Sequence, residues 1–577
     1  METADEESPL LHLQSPQAAD SEYTSDGSVD INKQPALKHR TGNWRACFLI
    51  LGVEFSECIA YFSISKNLVP YLITVLHESK VTAARNDSIW AGACFVTPLL
   101  GAFMADTYWG RYWTVVVFLP IYAVGMLVLV VSASLPVSSS SIYNGNVHHA
   151  AVYLGIYLAA FGSGGVKPCT SSFGADQFDI NDPVELVKKS SFFSWYYFLI
   201  SLGNMLSSTV IVWLQDNVSW SVGYAIPLVL MLFCLAAFVA GSKQYRFRRI
   251  GVSPITSISQ VVVAAVRNWE LQTPEDSSLL YEPTGSPSES GVRHKIKHTN
   301  QFRFFDKAAI VSAPSEHKGT SSMSSWRLCT VTQVEELKML LRISPVWLSF
   351  VIFYAIKLQL SSTVIEQGMF MENRIGPFGI PPASLSTFSV LSILIWVPVY
   401  ETVLVPLARR FTGKDKGFSQ RQRLGIGLTL SMLTMVYTAL LEMRRLAIAE
   451  ASGLTNKSLP APISILWQAP AYFVNGAADA FGSIGVAEFF YDNAPATMKS
   501  LCSALLMLAI AAGSYFNSLV LSLVAVATTR GGEPGWIPDN LNAGHLDYFF
   551  WTMAALSLLN LAHFVHSAMR HRGNTAD

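Results

Sequence analysis

Five ionisable side chains stand inside stretches that are otherwise apolar. Glu54 and Glu57 lie in LGVEFSECIAY, Lys167 in GSGGVKP, Lys357 in FVIFYAIKLQL and Asp479 in NGAADAFG. A charge placed in hydrocarbon is costly, so each is by default a functional residue. Glu54, Glu57 and Cys58 fall at i, i+3 and i+4 and share one helix face. Two carboxylates so close in a low dielectric cannot both ionise cheaply, which suits a proton carrier. The other reading is an ion network with Lys167 that holds helices together. Lys357 is too deep to snorkel and needs either a carboxylate partner or an anionic ligand. The glycines before Lys167 lack the GxxxxGK[ST] spacing of a phosphate loop, which excludes nucleotide binding on this motif. They fit close helix contact instead. Asp106 and Arg111, in ADTYWGRY at the end of an apolar run, are either a gating pair between helices or turn charges at a helix end.

These residues need membrane-spanning helices to position them. Of 577 residues, 51% are hydrophobic and only 14% charged, against about 25% charged in soluble domains. Apolar runs of the required length (about 20 residues) occur near 45–75, 89–107, 112–135, 149–170, 190–214 and 223–241. After a polar stretch they resume near 341–370, 382–408, 424–446, 461–490, 499–526 and 546–568. The predicted fold is therefore an all-α membrane protein of about twelve helices in two six-helix halves. Its parts are a tail at 1–42, a bundle at 43–241, a largely irregular linker at 242–335, a second bundle at 336–568 and a short tail at 569–577.

Lys243, Arg246, Arg248, Arg249 and Arg267 in the linker, Lys188 and Lys189 after span four, and Arg409, Arg410, Lys414 and Lys416 after span eight share one side if both termini are cytosolic. The acidic N-terminus is not a cleaved signal peptide. The net charge of zero gives no basic face for nucleic acid. Scattered cysteines suggest neither disulfides nor a metal site, no cofactor is implied, and no nucleophile–base pair points to an enzyme.

The charged residues occupy spans one, four, seven and ten, the first helices of successive triplets. Transporters built from such repeats gather these helices around a midplane cavity. The expected partners are a small-molecule substrate, protons and membrane lipid.

GSGGVKPCTSSFGADQFD (162–179), FFSWYYFLISLG (192–203), SWRLCTVTQVEELK (325–338), FTGKDKGFSQRQRLGIG (411–427) and WIPDNLNAGHLDYFFW (536–551) carry a family likeness. From about residue 25 to the C-terminus the chain resembles the plant nitrate/peptide transporter family, nearest its di- and tripeptide subgroup. That resemblance implies a major facilitator fold, alternating access and proton-driven symport. It places the first-helix proton motif at Glu54 and Glu57, with Cys58 where the family has a basic residue. Lys167 matches the fourth-helix lysine that meets the substrate carboxylate. Asp479 shortens the glutamate that holds the peptide amino group, Ser201 replaces a peptide-contacting asparagine, and Tyr61 matches a pocket aromatic. With Lys357 and Gln359 these form the expected pocket.

Because a cation is missing at 58 and one is gained at 357, Lys357 is expected to pair with Glu57 or Glu54. The competing expectation is that Lys357 reads an anionic substrate. The leading function is proton-coupled symport of di- and tripeptides or a related small organic solute. The alternatives are a nitrate or organic-anion carrier with weakened coupling, and a non-transporting receptor. Glu6, Leu10 and Leu11 form an acidic dileucine pattern that favours sorting by adaptors to the vacuolar membrane over the plasma membrane.

Overall fold

The computed structural model describes residues 22–134, 142–179, 181–248, 254–274, 276, 279–282, 296, 298–311, 326–376, 378–412, 418–493, 499–529 and 535–570. Glu6, Leu10 and Leu11 lie outside the described residues. Among the described residues, eleven helical segments are long and apolar enough to cross a membrane. The twelfth, expected at 461–490, divides into Ala469–Phe481 and Ser483–Asn493 on either side of Gly482.

Local sequence sets the helix starts. Ser79 caps span two (Lys80–Met104) by accepting from the Thr82 N–H. Thr330 with Gln333 and Ser419 with Gln422 form reciprocal capping boxes at the starts of spans seven and nine. Small residues then set how closely helices approach. A Cβ on Gly101 of span two would lie 2.1 Å from the Gly164 carbonyl oxygen of span four, so the glycines before Lys167 serve close packing. Large apolar side chains such as Phe233 and Leu559 stay exposed on spans six and twelve, where hydrocarbon covers them.

The two halves meet at the end of the bundle away from the termini. Asn517 Nδ2 of span eleven (Lys499–Thr528) donates to Ser88 Oγ of span two at 2.9 Å. Thr387 Oγ1 of span eight donates to Ser208 Oγ of span five at 3.1 Å. The Lys80 N–H donates to Asp539 Oδ1 at 3.3 Å. These hydrogen bonds join the halves there.

Two polar segments are more ordered than the sequence predicts. Residues 22–42, expected as a tail, fold back on themselves through a Tyr23–Leu37 bridge and strap onto the body through a Val29–Phe247 bridge and the hydrogen bonds of Ser25 to Asp179. Arg246, fully buried, binds Glu185 at 2.7 Å and donates its backbone N–H to Gln177 Oε1. The linker contains an amphipathic helix, Pro254–Arg267. Its Val261, Ala264 and Ala265 pack on Val334 and Leu337 at the start of span seven. The fully buried Lys338 ammonium lies 2.6 Å from Asp306 and 2.8 Å from Glu335. The linker's Ser and Pro content conceals this docked face.

Candidate functional site: buried charge pairs in the two halves

In spans one, seven and ten a charged residue sits beside an interruption of the helix, and in span four beside a proline within a continuous helix. Span one runs over Asn43–Ser65 and resumes at Leu68–Thr74, with Lys66 in the gap. Span four carries Pro168 inside the helix directly after Lys167, and proline removes a backbone hydrogen bond there. Span seven runs over Val331–Lys357, tightens into a 3₁₀ turn at Leu358–Ser361 and resumes at Thr363–Met369. Span ten breaks at Gly482, three residues after Asp479. Irregular backbone at membrane depth is tolerated only where it is buried in protein or lines a polar cavity.

In the first half, Glu54 and Glu57 are buried on one face of span one. Thr170 Oγ1 donates to Glu54 Oε2 at 2.6 Å, and Cys58 Sγ donates to Glu54 Oε1 at 3.7 Å. Tyr196 of span five closes the group, its hydroxyl 3.4 Å from Thr170 Oγ1. Lys167 Nζ is 3.7 Å from Glu57 Oε1, longer than a hydrogen bond, and 3.4 Å from the centre of the Tyr61 ring. One cation thus faces two buried carboxylates, an arrangement suited to holding and releasing a proton. Span five packs closely on span one here: a Cβ on Gly203 would lie 3.0 Å from Cys58 Cβ.

The second half holds its own pair. Lys357 Nζ is 2.8 Å from Asp479 Oδ1, and the Ser483 hydroxyl donates to the same oxygen at 2.9 Å. The expectation that Lys357 pairs with Glu54 or Glu57 is therefore corrected. Spans seven and ten belong to one half, and their interruptions bring Lys357 and Asp479 together, while Lys167 serves Glu57. Asp479 meets a lysine of its own half in this state, rather than standing open for a substrate amine.

The pocket placement expected for Gln359 is also corrected. It is fully buried, donates to Asn517 Oδ1 and accepts from Thr363 Oγ1 at 2.8 Å. It belongs to the far-end seam that runs on through Asn517 to Ser88. Ser201 is half-buried, and its hydroxyl donates back to the Tyr197 carbonyl at 3.0 Å. Arg111 lies 4.0 Å from Asp106 but forms its close ion pair with Asp176 at the end of span four. Arg248 joins Asp176 from the linker at 3.3 Å. The cluster binds elements of the first half and the linker to one another.

Sequence reasoning missed Lys66, Thr170, Tyr196 and Asp176. Lys66 carried a signal, a lysine within the run counted as span one. The others are polar groups whose partners lie far away in sequence.

The sequence matches the family described as PTR2, POT family, over residues 112–537. It is 50% identical over 561 residues to the Arabidopsis thaliana protein NRT1/PTR family 8.3, covering 96% of each chain. It is 38% identical over 560 residues to NRT1/PTR family 5.7 of the same plant, covering 96% of this chain and 92% of that one. Among solved structures it resembles the POT family transporter PepTSo, with a TM-score of 0.69 at 21% identity, covering 93% of this chain and 99% of that one. A POT family transporter in complex with 5-aminolevulinic acid matches with a TM-score of 0.58 at 14% identity, covering 91% and 98%. These last two likenesses concern the fold.

Proposed function

This chain belongs to the POT family, whose members are membrane transporters and not enzymes, and on that premise we propose that it is a proton-coupled symporter of di- and tripeptides or closely related small organic solutes. The observation that carries the reading is the Glu57–Lys167 pair resting on the Tyr61 ring. A solute carboxylate can take Lys167 only by replacing Glu57. Replacement costs least when Glu57 carries a proton, because an unpaired buried carboxylate is expensive. Solute and proton therefore bind together, which is the requirement for symport. Glu54, held by Thr170 and Cys58, offers a second place for that proton on the same face. Closure of the far-end seam through Ser88, Asn517 and Gln359 represents one side of an alternating-access cycle, and opening that seam gives the other. Asp106 and Arg111, with Asp176, serve as the gate cluster at the end nearer the termini.

The solute pocket comprises Tyr61, Lys167, Lys357 and Asp479, with Ser201 at its edge. Asp479 can receive a solute amine if Lys357 yields its place. The termini are assigned to the cytosol from the distribution of lysine and arginine. Glu6, Leu10 and Leu11 are assigned as a vacuolar sorting signal. The test is uptake of labelled dipeptide with simultaneous current at acidic and neutral pH, after Leu10→Ala and Leu11→Ala bring the protein to an accessible membrane. Acid-stimulated, current-carrying uptake supports symport. Surface-expressed protein that shows neither overturns it.

A further inference from the structure

The interface that joins the halves at the far end contains two acids that no cation meets. Span two carries Lys80, Ala84, Asp87 and Ser88 on one face. That face touches the second half at both ends. Lys80 Nζ lies 4.8 Å from the centre of the Phe370 ring, Ala84 belongs to the apolar cluster of Val364 and Phe370, and Ser88 Oγ accepts from Asn517. On span seven, Glu366 stands one turn before Phe370 and one turn after Thr363, which donates to Gln359, the partner of Asn517. The same two contacts between the halves therefore bracket Glu366 on one side and Asp87 on the other. Glu366 is 0% exposed and Asp87 2%. Neither oxygen of Glu366 has a hydrogen-bond partner, nor has Oδ2 of Asp87. Among the described residues neither acid forms an ion pair.

The charged groups on the surrounding elements are engaged with one another. The Lys80 ammonium donates to the Asp539 carbonyl, and the Asp539 carboxylate accepts from the Lys80 N–H. Arg445 of span nine binds Glu442 at 2.6 Å. Glu78 accepts from Tyr153 of span four and from Asn86. Tyr61 of span one stacks on Trp90, and Tyr472 of span ten donates to the Leu360 carbonyl. A carboxylate shut away from water without a donor is costly, and a neutral carboxylic acid costs far less. We propose that Glu366 and Asp87 are a proton-binding site of the far-end seam: each takes a proton from the far-side water when the halves meet and returns it when they part. The seam is then a gate that acid closes. This site is separate from the proton proposed at Glu57, whose partner Lys167 belongs to the first half, and it does not rest on the symport reading.

The test reads the seam as a distance in the full-length protein in lipid nanodiscs, without solute. Spin labels are carried by an unnatural amino acid at His77 and at Lys457, exposed positions at the far ends of the first and second halves. At about pH 5.5 the short distance of the joined halves should dominate, and by about pH 8 the ratio of closed to open should fall at least about tenfold. Glu366→Gln combined with Asp87→Asn is neutral at every pH and should keep the short distance throughout. Glu366→Gln alone leaves one titrating acid and should roughly halve the steepness of the transition. A distance that ignores pH in the unaltered protein would overturn the site, since Lys80 would then be neutralising Glu366. So would a single variant of unchanged steepness. A double variant that still shifts with pH would assign the titration to Glu54 and Glu57 instead.

Discussion

Lys357 and Asp479 meet at 2.8 Å, each beside an interruption of its own helix. A charge pair at such a point ties two broken helices of one half together and remains available to a solute, because Lys357 is 40% exposed. Removing one partner leaves the other charge uncompensated. Lys357→Met and Asp479→Asn should therefore each lower uptake efficiency about tenfold, and the double variant should lose less than the sum. The partial exposure places the coupling toward the low end of the usual ~0.5–3 kcal/mol range for residues in contact. Strictly additive losses in a double-mutant cycle would mean that the pair does not act as a unit.

Glu57 governs the pH response in the proposed mechanism. Acid favours the neutral carboxyl, which frees Lys167 for a solute carboxylate, so uptake should rise as pH falls. Glu57→Gln imitates the protonated state permanently. It should remove the rise of net uptake at acid pH while solute exchange between preloaded vesicles continues. Persistence of the full acid stimulation in the variant would exclude Glu57 as the coupling group.

Arg246 is fully buried against Glu185, and its guanidinium also donates to Thr41 Oγ1 and the Lys38 carbonyl of the strap, each at 3.4 Å. Arg246→Ala strands the Glu185 carboxylate and should cost about 3–5 kcal/mol, the usual penalty for breaking a buried pair. Replacing both, with Arg246→Met and Glu185→Leu, should recover part of that loss. The melting temperatures of the detergent-solubilised proteins decide the matter, and a double variant as unstable as the single one would contradict it.

Asp179, in the polar segment after span four, anchors the strap by accepting from the Ser25 N–H at 2.7 Å and the Ser25 hydroxyl at 2.8 Å. Burial pushes its carboxyl upward, but the hydrogen bonds from Ser25 and Asn181, helped by Lys38, outweigh burial and hold it below the ordinary aspartate range. The folded value is thus the lower one. Its stabilisation is present above the unfolded value of about 3.9 and fades as pH falls through the folded value. Proteolysis within 22–42 should stay slow down to about pH 4 and accelerate below it. In Asp179→Asn that acid-dependent step should be weaker, with faster cleavage already at neutral pH. An unchanged profile would show that Asp179 does not secure the strap.

Much of this protein was legible in one dimension. Spans twenty residues long with few charges permit little besides membrane helices, because hydrocarbon leaves no other way to satisfy the backbone. Glu54, Glu57, Lys167, Lys357 and Asp479 stood out for the same reason: a charge in an apolar run is conspicuous whatever its partner. The partners were not legible. Whether Lys357 met Glu57 or Asp479 depended on where spans seven and ten break, and a break depends on packing around Gly482 and Leu358 as much as on local propensity. Gln359 stood two residues from Lys357 and was assigned to the pocket with it. The 3₁₀ turn there directs it into the seam with Asn517 instead. Lys66 was hidden inside an apolar average. Composition determined the medium and the count of helices, since both follow from the free energy of placing each residue in hydrocarbon. The pairing of charges was decided by tertiary structure alone, because Coulomb energy depends on distances between residues more than a hundred positions apart.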